Sequence, residues 1–360
     1  MRRAAATSAA RALVVVCSVV GAIIAMSASP AGAHGLGGLK PTDYQTRLGA
    51  ITPATPGVEL TVVDLGTRLE LTNRSAHDVV VLGYDGEPYL RVGPRGVYQN
   101  TKSPATYFNR SLNPSGSAPP EQVDPKAPPD WRQTGDGHTV SWHDHRAHFM
   151  GLGDPPAVRR DPHHRHLIDT FQIRMSTEGR ALTARGQIFW VPPPSPWPWV
   201  AGAVALAAIV VALSLTRVWA NVFAVTLAGL IVTELAHVIG LWGASTAAAG
   251  TKLAESGYSI GGILLAVLAL AWMVRKGAVA AVPLVLIATI FLFVAGGLAD
   301  VTTLGNSQVP STLPGWCARL LVTVTLGAGA GLAAAAALRL RPQPTTHPVT
   351  RPRARAPVTS

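Results

Sequence analysis

Cysteine is almost absent from this chain, since only Cys17 and Cys317 occur among its 360 residues. Cys17 lies in a segment that we predict is removed as a signal peptide, which leaves Cys317 without an intramolecular partner. The sequence therefore excludes a disulfide framework, and it offers no thiolate pair to a metal ion. An exported domain of this kind must be stabilised by its hydrophobic core or by a metal held through other ligands.

Motifs of hydrolysis and nucleotide binding are also lacking in the polar part of the chain, residues 34–195. No serine or cysteine there stands in a nucleophile motif, and no glycine-rich phosphate loop is present. Asp144 and His148 have general-base chemistry but no nucleophile to activate. These absences disfavour hydrolase and nucleotide-binding functions. They favour a non-enzymatic role, although the sequence leaves enzymatic activity open.

Basic residues outnumber acidic ones, with 30 Lys and Arg against 19 Asp and Glu, for a formal net charge of +11. Part of the excess lies in five arginines near the C-terminal end, namely Arg339, Arg341, Arg351, Arg353 and Arg355. Unpaired arginines directly after an apolar run are typical of a cytoplasmic tail beside anionic lipid. We therefore expect a lipid bilayer as partner and no nucleic acid. The proline content predicts a disordered tail over residues 341–360.

The first 33 residues have the pattern of a secretory signal peptide. Arg2 and Arg3 precede an apolar run over residues 10–26, and the small residues Ala31-Gly32-Ala33 follow. A charged start, an apolar centre and an A-x-A site predict cleavage after Ala33. His34 would then be the first residue of the mature protein.

Residues 196–340 contain five long apolar runs. We place transmembrane helices at residues 197–216, 220–243, 258–274, 278–299 and 317–338. Each is close to the ~20 residues that a bilayer core requires. Arg217, Arg275 and Arg339 follow the first, third and fifth runs, so the positive-inside rule predicts a cytoplasmic C-terminus. The polar domain and the loops 244–257 and 300–316 would lie outside the plasma membrane.

The polar domain, residues 34–195, has the pattern of an all-β fold. We predict strands at residues 58–63, 68–72, 78–82, 89–92, 139–143, 167–175 and 181–191. These segments are short, β-branched or alternating, and turns such as Asp64-Leu65-Gly66 and Glu178-Gly179 separate them. The pattern predicts an antiparallel β-sandwich, followed by an all-α bundle of five transmembrane helices.

Histidines are concentrated in the polar domain, which holds nine of the eleven. His34 would offer its free α-amine and its ring to one metal ion. Imidazole suits both copper and zinc, and the terminal amine together with the absence of thiolates favours copper. His143 and His145 are two residues apart, so in a strand both rings would lie on one face. His148 would be an optional further ligand. The alternatives are a histidine on a structureless N-terminus and a solvated polar rim.

The pairing of an N-terminal histidine with His143 and His145 resembles two copper-protein families. One is the periplasmic copper-resistance chaperones, which are β-sandwiches. The other is the cupredoxin-like subunit of particulate methane monooxygenase. The similarity covers only these positions, and that subunit has fewer spans. The segment Gly83 to Asn109, with its GYDGEPYLRV string, resembles uncharacterised actinobacterial multi-pass membrane proteins. The first two resemblances imply copper as the metal, with a copper donor or acceptor protein as partner.

Two ionisable residues, Glu234 and His237, lie inside the second predicted span. They are three residues apart and share a helix face. Ionisable groups in a span are costly and usually face a bundle interior or a cavity. The pair predicts either an ion relay or a contact that fixes helix packing. Asp300, at the end of the fourth span, either joins the pair or lies at the membrane interface.

Three functions therefore remain open from the sequence. The first is an extracytoplasmic copper-binding protein for acquisition, storage or transfer. The second is a structural or interaction protein of the cell envelope without a metal. The third is a subunit of a copper oxidase, because a histidine brace can activate oxygen. Metal content separates the first two, and an open coordination position is needed for the third.

Overall fold

The computed structural model describes residues 39–110 and 120–340. The predicted signal peptide, His34 and the tail 341–360 lie outside the described residues. Ten strands form the N-terminal half: β1 Tyr44–Leu48, β2 Val58–Val63, β3 Arg68–Asn73, β4 Val79–Leu82, β5 Pro88–Gly93, β6 Gly96–Asn100, β7 Trp131–Gly135, β8 Thr139–His143, β9 His166–Thr177 and β10 Arg180–Trp190. The seven-stranded sheet has the order β1-β10-β9-β4-β5-β6-β7, and the three-stranded sheet has the order β2-β3-β8.

All strand pairs are antiparallel, so the predicted antiparallel sandwich is confirmed. Alternation drives the packing, because successive side chains of a strand point to opposite faces. In β3, Leu69 and Leu71 are fully buried, while Glu70 between them is not. The β9–β10 hairpin turns at Glu178 and Gly179, which both have positive φ (49° and 73°), as a tight two-residue hairpin turn requires.

Three strands were not predicted: β1, β6 and β7. Their sequences, YQTRL, GVYQN and WRQTG, are mostly polar and lack an apolar alternation. Two of them, β1 and β7, are the edges of the large sheet. An edge strand buries little of its surface, so its sequence need not carry the hydrophobic pattern of a central strand.

The C-terminal half is helical. Its long helices are α3 (Trp197–Ser214), α4 (Trp219–Ala244), α6 (Gly257–Lys276), α7 (Ala278–Leu292) and α8 (Gly315–Leu340), with the short helix α5 (Ala249–Glu255) before α6. Two further short helices, α1 (Ala105–Phe108) and α2 (Pro156–Arg160), lie between strands of the N-terminal half. A π-helical turn, Phe293–Leu298, extends α7. Within the part of the chain that the structure describes, five helices are therefore long and apolar enough to cross a membrane, which confirms the prediction of a multi-pass membrane protein.

The sandwich is fixed to one end of the helical bundle by backbone and side-chain contacts. Thr42 and Gln308 exchange two backbone hydrogen bonds (3.0 and 2.8 Å). The Asp43 carboxylate accepts a bond from the Ser307 amide (2.7 Å), and burial at this junction raises the pKa of Asp43. Asp64, which has φ 51°, accepts bonds from the amide and hydroxyl of Thr246 (2.8 and 2.6 Å). Arg68, four residues after Asp64, is paired with His143, so the end of β8 lies near this junction.

Candidate metal centre

The histidine segment begins at the end of β8 and continues as a turn from Asp144 to His148. Trp142 and Ala147 anchor it, since both are buried in the sandwich core. Because the strand ends at His143, the shared strand face from which we paired His143 with His145 does not extend to His145. The turn, and not the strand pleat, decides where the His145 and His148 rings lie.

Asp144 holds the turn in place and is fully buried. Its carboxylate accepts hydrogen bonds from Trp142 Nε1 (3.0 Å) and from Arg146 Nε and Nη2 (2.8 and 2.7 Å). The Arg146 guanidinium also lies over the ring of Tyr84, 4.9 Å from its centroid. A buried carboxylate is tolerated because a fork of charged donors compensates its lost hydration. Asp144 is therefore occupied by protein groups.

His143 has a partner on each ring nitrogen. Its Nδ1 donates to the Thr67 carbonyl (3.0 Å), and Arg68 Nη2 donates to its Nε2 (3.2 Å). This pairing fixes the neutral tautomer with the proton on Nδ1. Burial, followed by the charge of Arg68, lowers the pKa of His143. His143 can bind a metal only after the Arg68 side chain turns away.

His148 has the geometry of an imidazole prepared for a ligand. Its Nδ1 donates to the Asp144 carbonyl (3.1 Å). Its Nε2 is buried and has no hydrogen-bond partner among the residues that the structure describes. Burial lowers the pKa of His148, and the neighbouring His145 and His143 add to the effect. A ligating histidine typically donates its second ring N–H to a backbone carbonyl in this way.

His145 lies beside His148, with ring centroids 5.6 Å apart and the rings nearly perpendicular at 87°. Its backbone amide donates to the hydroxyl of Tyr84 (3.2 Å), whose own proton goes to Asn109 Oδ1. Burial, with the charge of Asp144, raises the pKa of Tyr84 to about 12. Metal–imidazole bonds are about 2 Å long, so two rings at this separation can share one ion.

Tyr84, Asn109 and Arg146 are the residues around the histidines that sequence reasoning missed. Tyr84 and Asn109 lie at the two ends of the segment Gly83 to Asn109, far from the histidines in the chain. The only sequence signal for them is that Gly, Asp and Pro residues interrupt that segment. No local pattern indicates that the Tyr84 hydroxyl accepts a hydrogen bond from the His145 amide.

The structure brings His143, His145 and His148 into one neighbourhood. It does not test the position of His34, the fourth predicted ligand. Within residues 39–110 and 120–340, no group of three His, Cys, Asp or Glu side chains has the arrangement of a metal site. His34 lies outside these ranges, so its approach to the three histidines stays a prediction. A second histidine group, His163 to His166, is a surface segment in which His164 pairs with Asp161 (2.8 Å).

In the membrane domain, Glu234 is fully buried, and His237 Nε2 lies 3.1 Å from Asp300 Oδ2. A G-x-S-x-G pentapeptide, residues 257–261, begins helix α6 beside this group. It does not follow a strand, and Ser259 makes no hydrogen bond with His237 among the described residues, so it lacks the arrangement of a hydrolase nucleophile. The intramembrane group is therefore a separate feature of the bundle.

Comparison of the chain with protein-family models, with curated proteins and with solved structures finds no match. The fold and its polar clusters therefore define the class of this protein by themselves. It is a multi-pass membrane protein with an antiparallel β-sandwich joined to one end of a five-helix bundle.

Proposed function

We propose that this protein binds copper on its β-sandwich, outside the plasma membrane, and that it acquires, stores or transfers the ion. The observation that carries the proposal is His148, whose Nδ1 is fixed by a backbone carbonyl while its buried Nε2 has no partner among the described residues. A buried acceptor without a partner is costly unless a ligand satisfies it. His145, 5.6 Å away between ring centroids, supplies a second imidazole.

The remaining ligands in the proposal are His34 and His143. His34 would bring its ring and its α-amine after signal cleavage, and this nitrogen-rich set without thiolates favours copper. His143 is held by Arg68, so it would enter the site only when that arginine moves. Such a reserve ligand suits transfer. His143 can take the place of a lost ligand while a partner protein removes the ion, so the ion keeps a complete ligand set. The partner would be a copper donor or acceptor.

The experiment measures Cu(II) affinity of the full processed protein in detergent or nanodiscs. We expect His148→Ala and His145→Ala each to weaken binding by a factor of about 10–100 or more, since even outer-shell changes have effects of this size. His164→Ala is the matched control, because His164 is an exposed histidine paired with Asp161 elsewhere. One extra residue ahead of His34 should weaken binding as well, because it removes the α-amine.

Unchanged affinity in both His145→Ala and His148→Ala would overturn the proposal, and unchanged affinity in the extended protein would remove His34 from it. If the parent protein binds no copper, the second function, an envelope structural or interaction protein, is favoured. The specific observation for that second function is the contact of the sandwich with the bundle through Thr42, Asp43 and Asp64.

A further inference from the structure

The membrane domain contains a polar group that the copper proposal does not use. Glu234 and His237 share one face of helix α4, and Asp300 follows the π-helical turn Phe293–Leu298. His237 Nε2 and Asp300 Oδ2 are 3.1 Å apart, and both side chains are about nine-tenths buried. Glu234 lies one helical turn deeper in the bundle than His237. His237 therefore lies between two carboxyl groups, that of Asp300, which it contacts, and that of Glu234, which is three residues away on the same face of α4.

Glu234 is fully buried, and neither of its carboxyl oxygens makes a well-formed hydrogen bond among the described residues. The Ser259 side chain lies close enough to interact with the carboxyl group. An isolated carboxylate in such surroundings is far costlier than a neutral carboxyl group. Glu234 is therefore stable in the bundle when it carries a proton.

The π-helical turn makes room for this carboxyl group. A Cβ atom added at Gly296 would lie 2.0 Å from Glu234 Oε2, so no residue larger than glycine fits there without displacing the carboxyl group. A π-turn inside a helix frequently marks a functional site, because it shifts the register of the backbone to accommodate a ligand or side chain. The turn also leads directly to Asp300, which meets His237.

A pocket of about 480 Å³ lies beside His237 and Asp300, between the C-terminal half of α4, the start of α6 and the end of α7, and most of its lining is apolar. Polar lining residues include His237, Asp300, Ser256, Ser259 and, at the exposed mouth, Glu255. In the other direction the first half of α4, residues 219–233, contains no ionisable residue, and Phe223, Leu227 and Leu230 are buried in the core. In the other four long helices, the described Asp, Glu, Lys and Arg residues lie near helix ends, at Arg275, Lys276, Arg319 and Arg339. We therefore take the route from Glu234 to lead through His237 and Asp300.

We propose that Glu234 is a proton-binding site of the membrane domain that exchanges its proton with the pocket through His237 and Asp300. A proton enters from water in the pocket, is held by the His237–Asp300 pair, and passes to the Glu234 carboxylate, which becomes neutral. The reverse path returns it to the same side. Glu234 thus changes its charge, within a packed bundle, in response to the pH on the sandwich side. This inference does not rest on copper binding.

The test uses dicyclohexylcarbodiimide, an apolar reagent that modifies protonated carboxyl groups inside membranes. The carboxyl O–H adds across one C=N bond of the reagent, and the product rearranges to a stable N-acylurea without losing an atom. We expect mass spectrometry of the full protein in membranes to locate the adduct on Glu234. Labelling should slow as the pH on the sandwich side is raised, because the proton then leaves.

Glu234→Gln should remove the adduct, and Glu255→Gln, a carboxyl change at the pocket mouth, should leave it in place. His237→Gln should weaken the pH response of the labelling rate at Glu234 and keep the adduct itself. The adduct on Glu234 of the parent protein and its dependence on pH test the proposal without any variant. A variant that fails to fold therefore does not leave the proposal untested. No adduct on Glu234, or a rate that does not change with pH, overturns it. An unchanged pH response in His237→Gln overturns the route.

Discussion

At the scale of single residues, the histidine turn depends on Asp144, which supports it from within the core. Asp144→Ala would leave the Arg146 guanidinium and the Trp142 N–H without their buried acceptor. Removing one partner of a buried ion pair costs about 3–5 kcal/mol, so we expect a loss of that order in the stability of the sandwich. Denaturant titration followed by far-ultraviolet circular dichroism measures it.

The control for that substitution is Asp161→Ala. Asp161 is likewise a paired carboxylate, but its partner is His164 and its position is exposed, and its pKa is lowered chiefly by the bond from His164. Exposed pairs contribute little because water screens them, so the control should change stability little. Equal effects of the two substitutions would mean that Asp144 does not organise the turn.

A second residue-scale prediction concerns acid. Burial lowers the pKa of His143 and His148 below the value of 6.5 expected for the unfolded chain. As pH falls below 6.5, the unfolded state therefore binds protons that the folded state does not, and the folded state loses stability. The double variant His143→Gln, His148→Gln should have a flatter stability profile between about pH 5 and 7. Denaturation midpoints across that range measure it, with His163→Gln, an exposed histidine, as control.

A profile in the double variant as steep as in the parent would show that these two buried rings do not govern the acid response. Copper affinity should weaken over the same range, since ligation requires a neutral imidazole. The two readouts are independent, because the stability measurement needs no metal.

At the scale of elements, helices α3 and α8 pack closely through small residues. A Cβ atom added at Gly327 would lie 2.5 Å from the Ala203 carbonyl oxygen, and one added at Gly331 would lie 2.7 Å from that of Ala207. Glycines four residues apart that let two helices approach in this way are typical of membrane helix pairs. The close approach explains why most of α8 is buried inside the bundle.

We expect Gly331→Ala to lower the thermal stability of the protein in detergent, because the added methyl group meets backbone that cannot move easily. Gly229→Ala is the matched control, since no atom lies within 4 Å of the position of its added Cβ. Alanine is also the better helix former, so the control should be neutral or slightly stabilising. A thermal midpoint that shifts equally in both variants would contradict the packing argument.

At the scale of the whole molecule, the orientation in the membrane follows from the positive-inside rule and stays a prediction. The arginine and lysine at the end of α6 and the tail beyond Arg339 should lie inside the cell, and the sandwich with the loop that contains α5 should lie outside. In a Cys317→Ser background, a membrane-impermeant maleimide should label Thr251→Cys in intact cells. Ser360→Cys should be labelled only after lysis. Labelling of the tail from outside would reverse the topology.

The sequence by itself determined the five spans and seven of the ten described strands. Apolar runs of membrane length and alternating burial are local properties, as in β3, and a short window of sequence contains all of the signal. The turn at Glu178 and Gly179 is local in the same sense. The polar edge strands β1 and β7 were not predicted, because their pairing depends on neighbours that are distant in the chain.

The candidate sites were decided only by tertiary structure. The sequence singled out His143, but the pairing of β3 with β8 sets Arg68 against its ring. Among the described residues, the ring nitrogen without a partner belongs instead to His148. In the bundle, helix packing brings Asp300 to His237 across 63 positions of the chain. Residue type fixes which chemistry a side chain can perform, whereas its hydrogen-bond partners and its burial depend on contacts between distant segments, which no local pattern encodes.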